Sequence, residues 1–314
     1  MPPLNMPSGL PVIAIAGPTA AGKSEVAMLL AQRIRGEIIS VDSMQVYRGL
    51  DIGTAKPTLA ERDIVPHHLT DIMDLTESFD AAKFVEHARR AIQEIHARGR
   101  TPILCGGTGL YFKALLEGLG EAPPGSPQVR AELEKTPLPE LLRELAERDP
   151  VTFARIDREN PRRVVRALEV IRLTGKPFSA QRAAWNNSQA SPSFSTTAFF
   201  GLSRASKDLH SRIEERVEKM FQLGLVEETR QLLERGLARN RTAFQAIGYR
   251  EAVDFLGGKR PLAETITLVK QRTRQFSKRQ RTWFRRQGAI RWVHIASEDT
   301  AVGVAEGLAA QLSC

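Results

Sequence analysis

An apolar run ending at Ala16 passes straight into Gly17-Pro18-Thr19-Ala20-Ala21-Gly22-Lys23-Ser24, and apolar residues then recur at helical spacing through Val26, Leu29, Leu30 and Ile34. Residues 10–16 read as a short, fully buried strand, so the order is strand, glycine-bounded loop, helix. A Walker A loop requires that setting. Gly17 and Gly22 let backbone N–H groups curl around phosphate oxygens, the helix N-terminus adds partial positive charge, Lys23 adds a full charge, and Ser24 can hold Mg²⁺. The loop accepts a diphosphate or triphosphate without naming its owner. Such a loop needs a parallel strand to deliver it to a helix. That sets the fold class as α/β, a P-loop NTPase-like parallel sheet flanked by helices.

Residues 37–41 form a second expected strand, which delivers Asp42 and Ser43 to the carboxyl edge of the sheet, where ligands sit in open parallel sheets. Asp42 is a candidate general base there, with a turn or helix-cap acid as the alternative. Residues 44–57 are irregular and rich in donors, as a binding loop is. His67 and His68 are adjacent and lack a third spaced ligand, so structural hydrogen bonding is expected of them rather than metal binding. Residues 79–97 read as an amphipathic helix, and 101–105 as a buried strand ending in Gly106-Gly107-Thr108-Gly109-Leu110-Tyr111. Thr108 is placed either to donate to a ligand at the same edge or to open a helix.

Composition shifts at 118–127 and 186–195 mark hinges, and the segment between them carries helical signals at 129–135, 139–147 and 161–173. The expected organisation is a discontinuous P-loop core, 1–118 and 196–314, interrupted by a small helical domain at 119–195. Arg162, Arg163 and Arg166 lie on one helix of that insertion, with positions 162 and 166 on a shared face. Residues 196–202 return to the sheet, 209–221 form a helix bearing Arg212 and Arg216, and 266–284 a long basic helix with Trp283 and Phe284. A last strand is expected at 291–295.

The net charge is +9, and residues 259–291 alone hold eleven cations (Lys259, Arg260, Lys270, Arg272, Arg274, Lys278, Arg279, Arg281, Arg285, Arg286, Arg291) against Glu264. A self-neutralised helix face needs acids at three or four residue spacing, which are missing here, so a polyanionic partner is expected. The 42% hydrophobic and 26% charged composition excludes a disordered or fibrous chain. Neither a signal peptide nor a spanning helix is expected, and Cys105 and Cys314 read as reduced thiols, so the expected setting is the cytoplasm. No feature calls for a dimer, and a monomer is expected.

Taken together the sequence resembles the tRNA dimethylallyltransferases, also called tRNA isopentenyltransferases. The resemblance rests on the Walker A loop, Asp42-Ser43-Met44-Gln45-Val46-Tyr47, residues 51–57, Pro66-His67-His68-Leu69, residues 106–111, Arg166-Ala167-Leu168-Glu169, Gly248-Tyr249, and Lys278-Arg279-Gln280 before Thr282-Trp283. It implies transfer of a dimethylallyl group from dimethylallyl diphosphate to N6 of the adenosine immediately 3′ of the anticodon, in tRNAs reading codons that begin with U. By resemblance, Thr19, Lys23 and Ser24 with Mg²⁺ hold the diphosphate, alongside Pro18, Ala20, Ala21 and the loop glycines, while Arg216 or Arg212 clamps its other side. Asp42 accepts the N6 proton and Thr108 lies beside it. The resemblance also implies tRNA contacts from Asp42, Ser43, Met44, Gln45 and Thr108, and from Arg162, Arg163, Val164, Val165 and Arg166. Further contacts are implied from Gly248, Tyr249 and Arg250, and from Lys278, Arg279, Gln280, Arg281, Thr282, Trp283, Phe284 and Arg285. The chain departs from the family at Arg162, where relatives commonly carry Gln, and at Ala21, where Ser is frequent.

Without the resemblance, the Walker A loop alone fits a small-metabolite kinase, against which the basic 259–291 stretch speaks. A free-adenylate isopentenyltransferase shares the chemistry but needs no anticodon-binding insertion. A non-catalytic RNA-binding module would not need Lys23 or Asp42.

Overall fold

The computed structural model describes residues 12–120, 122–181 and 198–312. Residues 10 and 11 of the expected first strand, the hinge at 186–195, residues 196–197 and Cys314 lie outside the described residues. The chain divides into two compact units, Met1–Leu116 with Ser193–Cys314, and Glu117–Pro192.

The first unit is built on six parallel strands: β1 (Ile13–Ala16), β2 (Gly36–Val41), β3 (His67–His68), β4 (Thr101–Gly106), β5 (Ala198–Ser203) and β6 (Arg291–His294), in the order β3-β2-β4-β1-β5-β6. Its helices are α1 (Lys23–Ile34), α2 (Leu59–Ile64), α3 (Ala81–Ala97) and α4 (Gly109–Glu117). The central strands are continuous apolar runs because both faces of the sheet are covered. Ile13, Ile15, Ile38 and Ile103 point to one face, where α1 packs through Val26, Ala27 and Leu30. Ala14, Ala16, Ile39, Val41 and Leu104 point to the other, where α3 packs through Phe84, Ala88, Ile92 and Ile95. Each large side chain buried this way contributes roughly 1.5–3 kcal/mol. Asp80 starts α3 by accepting from the Ala82 and Lys83 N–H groups at 2.9 and 3.0 Å.

The second unit contains α5 (Pro127–Leu133), α6 (Leu138–Arg148), α7 (Pro150–Arg155), α8 (Pro161–Thr174) and α9 (Phe178–Gln181). Leu133, Leu141, Leu145, Val164, Val165, Leu168 and Ile171 form its core. Asn160 caps α8, Pro161 occupies its first turn, and Gly175 closes it in the left-handed region at φ 71°. Glu169 is fully buried and joins α5 to α8, accepting from Arg130 at 2.9 Å, Arg166 at 2.7 Å and the Ser126 N–H at 2.9 Å. Burial pushes its pKa up, but the two guanidinium partners outweigh that and hold it below the usual value.

The chain re-enters the first unit and continues through α10 (Ser206–Gln222), α11 (Leu225–Glu234), α12 (Tyr249–Leu256), α13 (Leu262–Phe284) and, after β6, α14 (Ala301–Leu312), which joins α1 on its face of the sheet through Ala305 and Leu308. Helix α13 begins four residues before the apolar periodicity predicts. Its first residue, Leu262, is exposed and adds no buried-face signal. His67 and His68 make structural hydrogen bonds, from His67 Nδ1 to the Val65 carbonyl and from His68 Nε2 to Glu37, each at 2.7 Å.

Candidate active site at the carboxyl edge of the sheet

The registers bring three loops together. Ala16 and Val41 both pair with Gly106, so Gly17, Gly107 and Asp42 leave three neighbouring strands at one level. Two strand spacings place the Walker A loop and Asp42 about 10 Å apart, with the 106–109 loop between them.

Residues 17–24 adopt the curled backbone that their glycines permit. Gly17 and Gly22 lie at φ 145° and 94°, and a Cβ on Gly17 would collide with the Leu202 carbonyl oxygen of β5. Ala20 is left-handed at φ 66°, while Ala21 is fully buried, and the loop thus presents backbone rather than side chain at both positions. Arg212 Nε donates to the Ala20 carbonyl at 3.0 Å and Arg204 Nε to that of Ala21 at 3.2 Å, bracing the loop from outside. Lys23 donates to the Pro18 carbonyl at 2.7 Å. Burial drives the Lys23 pKa from 10.5 down to about 8; Cys105 and Asp42 oppose that shift and Arg216 adds to it. Ser24 is exposed in the first turn of α1. The described residues contain no cluster of three His, Cys, Asp or Glu suited to a metal. The exposed Ser24 hydroxyl is an oxygen donor of the kind that Mg²⁺ takes.

Asp42 engages only one of its carboxylate oxygens among the described residues. Oδ1 accepts from the Met44 and Gln45 N–H groups at 2.8 and 3.3 Å, which is the turn role, while Oδ2 has no hydrogen-bond partner among the described residues. The Lys23 ammonium and the Arg216 guanidinium both feel its charge. Arg216 extends from α10 to within 3.4 Å of the Thr54 carbonyl, and burial lowers its pKa against the pull of Asp42. Of the two α10 arginines, Arg216 shares the field of Lys23 and Asp42, and Arg212 is committed to the loop backbone. Thr108 opens α4, its N–H tied to the Val41 carbonyl at 3.2 Å and its side chain half-buried at the same edge.

A cation-bearing loop, a carboxylate with one free oxygen and an arginine converging on one sheet edge suit displacement of a diphosphate by a nucleophile that must lose a proton. The model of the family described as IPP transferase matches residues 45–287 of the chain. The tRNA dimethylallyltransferase of Geobacter metallireducens is 49% identical over 290 residues, covering 90% of this chain and 92% of that protein. The chain belongs to the tRNA dimethylallyltransferase family. The tRNA dimethylallyltransferase of Pelotomaculum thermopropionicum is 42% identical and covers 95% of both chains. Among solved structures, the full-length tRNA isopentenylpyrophosphate transferase of Bacillus halodurans aligns with TM-score 0.69 at 40% identity over 97% of each chain. A eukaryotic dimethylallyltransferase acting on tRNA aligns with TM-score 0.79 at 32% identity, over 92% of this chain and 75% of that one.

Within this family member the basic run from 259 to 291 is not one surface. Lys259 and Arg260 pair with Asp254 at 2.8 and 3.1 Å, Lys270 with Glu218 at 2.6 Å, Arg274 with Glu214 at 3.4 Å, and Arg272 with Glu251. These acids come from α10 and α12, not from the helix itself, which corrects the expectation built on i+3 and i+4 spacing. Lys278, Arg279, Arg281, Arg285, Arg286 and Arg291 have no acidic partner among the described residues. All of these but half-buried Arg281 are exposed, as is Thr282.

The other residues expected to contact RNA differ in exposure. Phe284 is fully buried and meets Phe112 edge-on, its ring being core. Trp283 is half-buried and lies over Gly109. Gln280 is buried and points inward. Val164 and Val165 belong to the core of the inserted unit, and Arg166 is held by Glu169 and the Pro123 carbonyl, at 2.7 and 2.6 Å. Arg162 and Arg163 are exposed. Gly248 and Tyr249 are buried while Arg250 is exposed. The Gln45 amide is engaged with Ser40 at 2.7 Å and with the Thr54 and Ala55 carbonyls at 3.3 Å each. Ser43 and Met44 are half-buried, Met44 against the sheet core.

Sequence reasoning missed Glu228 and Arg204. Glu228 accepts from the Asp51 and Ile52 N–H groups and from Tyr249 Oη at 2.5 Å, and Tyr249 in turn accepts the Gly53 N–H at 3.0 Å. This pair fixes the 51–55 loop, whose Thr54 carbonyl meets Arg216. Neither residue sits in a recognisable motif, since both act through contacts remote in sequence.

Proposed function

We propose that the chain transfers a dimethylallyl group from dimethylallyl diphosphate to N6 of the adenosine immediately 3′ of the anticodon, in tRNAs that read codons beginning with U. The observation that supports this reading is the three-strand register, which brings the Walker A loop and Asp42, whose Oδ2 has no hydrogen-bond partner among the described residues, to one edge of the sheet. N6 attacks the allylic carbon, the carbon–oxygen bond to diphosphate breaks with its electron pair leaving on oxygen, and Asp42 takes the N6 proton. Lys23, Arg216 and the loop N–H groups stabilise the charge that develops on the leaving diphosphate, the main electrostatic task of this reaction. Mg²⁺, with Ser24 as its protein ligand, would spread that charge further when bound.

An adenine stacked in a helix hides N6, so the base must be turned out of the anticodon loop. Lys278, Arg279, Arg281, Arg285, Arg286 and Arg291, which have no acidic partner among the described residues, support phosphate-backbone binding, and Arg162 and Arg163 are exposed on the inserted unit. The chain is proposed to act as a monomer. A tRNA substrate supports a cytoplasmic location, and no helix among the described residues is long and apolar enough to cross a membrane.

The test is transfer of labelled dimethylallyl diphosphate to an anticodon stem-loop carrying three consecutive adenosines, with ATP hydrolysis and labelling of free AMP followed alongside. Label on RNA that disappears when the target adenosine becomes guanosine is expected. Asp42→Asn retains the Oδ1 acceptor for Met44 and should lower kcat by about 10²–10⁴ at unchanged RNA affinity. ATP turnover without labelled RNA would return the kinase reading, and label on AMP the free-adenylate enzyme.

A further inference from the structure

Gln280 lies on the buried side of α13, between Arg279 and Arg281 in the chain, and both ends of its amide are engaged. Oε1 accepts the Thr19 N–H of the Walker A loop at 2.9 Å, and Nε2 donates to the Gly107 carbonyl at 3.0 Å. One partner can only donate and the other only accept, so the amide has a single orientation. The close approach depends on two glycines. A Cβ on Gly107 would collide with Gln280 Nε2, and one on Gly109 with the Trp283 ring. Helix α13 therefore seats two side chains, Gln280 and Trp283, onto the loop that carries Thr108, and through Gln280 it also grips the phosphate loop.

We infer that Gln280 is a positioning residue for the diphosphate site, not an RNA contact. It holds the Thr19 corner of the phosphate loop at a fixed spacing from the Gly107-Thr108 loop, and Gly107 is glycine to admit it. The inference rests on the reading that the Walker A loop holds diphosphate. The helix that carries the RNA-facing cations on one side thus sets the shape of the leaving-group site with the other.

The experiment measures the affinity of the full chain for inorganic diphosphate by calorimetry and for the anticodon stem-loop by fluorescence anisotropy. The variants are Gln280→Leu, Gly107→Ala, Gln280→Ala and the double variant Gln280→Ala with Gly107→Ala. Loss of the buried amide should weaken diphosphate about tenfold, the worth of one to two hydrogen bonds. Stem-loop affinity should stay within about twofold, which also reports that the variants are folded, while the KM for dimethylallyl diphosphate rises and kcat at saturation changes less. Gly107→Ala should reproduce the diphosphate loss in the parent and add less than about twofold in the Gln280→Ala background, because the atom it strikes is gone. Unchanged diphosphate affinity in Gln280→Leu, an equal loss of RNA affinity, or additive losses in the double variant would each overturn the inference. A parent protein that binds diphosphate but transfers no label to RNA overturns the transferase reading alone.

Discussion

Replacing Lys23 with methionine should make the ligand-free protein more stable at pH 7 and less stable above pH 10.5. Burial holds the Lys23 pKa at about 8 against an ordinary 10.5, a displacement equivalent to ~3 kcal/mol favouring the neutral amine. The folded state therefore binds fewer protons than the unfolded state between those two values, and stability rises with pH across that window. Below pH 8 the charged ammonium carries the whole cost; above 10.5 none remains. Methionine removes the cost but also leaves the Pro18 carbonyl without the hydrogen bond it receives at 2.7 Å, a loss of about 1 kcal/mol. The net gain at pH 7 is about 2 kcal/mol, equivalent to a rise of about 4–8 °C in Tm for a domain of this size. Above pH 10.5 only the lost hydrogen bond is left, and the sign reverses. Urea denaturation in buffers free of phosphate and diphosphate, at pH 7 and stepwise from 8 to 11, measures the difference. If methionine destabilises at pH 7 by as much as at pH 11, the ammonium is not held at a cost, and the argument from burial fails. On the proposed reading, diphosphate supplies the missing counter-charge in the parent, so its binding should take up a proton above pH 8 and stabilise the parent but not the variant.

Three further outcomes follow from particular contacts. Lys278→Ala or Arg285→Ala should lower the slope of log stem-loop affinity against log salt by about 0.7–0.9 each, whereas Lys270→Ala should leave it unchanged because Glu218 already neutralises Lys270. Ala20→Gly should be neutral or stabilise by a few tenths of a kcal/mol in denaturant, and Ala20→Val should cost more than about 1 kcal/mol, since position 20 sits at φ 66°. Tyr249→Phe removes the acceptor of the Gly53 N–H and the donor to Glu228. It should cost about 1–3 kcal/mol in urea denaturation and raise the KM for dimethylallyl diphosphate through the Thr54 support of Arg216.

The phosphate loop was legible because its chemistry is local: glycine spacing, lysine and helix start lie within a dozen residues, and no distant residue is needed to recognise them. The place of Asp42 at the sheet edge was legible from the buried strand before it, although the engagement of Oδ1 alone in the following turn was not. The resemblance to tRNA dimethylallyltransferases supplied the α13 segment as RNA contacts, yet Gln280 and Phe284 point the other way. A helix turns 100° per residue, so a contiguous motif necessarily spans both faces. Arg166 is likewise engaged by its own helix, through buried Glu169 one turn away.

By itself the amino-acid sequence determined the parallel α/β class, the phosphate loop, the candidate base and the excess of positive charge, all properties carried by neighbours along the chain. Tertiary structure decided which charges remain available. The acids that neutralise Lys259, Arg260, Lys270, Arg272 and Arg274 arrive from α10 and α12, so a run that looks uniformly basic in sequence is quenched over its first half and free over its second. It also decided that Arg216 lies in the field of Asp42 while Arg212 is bonded to the Ala20 carbonyl, and that the glycines of the 106–109 loop make room for Gln280 and Trp283 from a helix some 170 residues away. Pairings of that range depend on how the helices dock on the sheet.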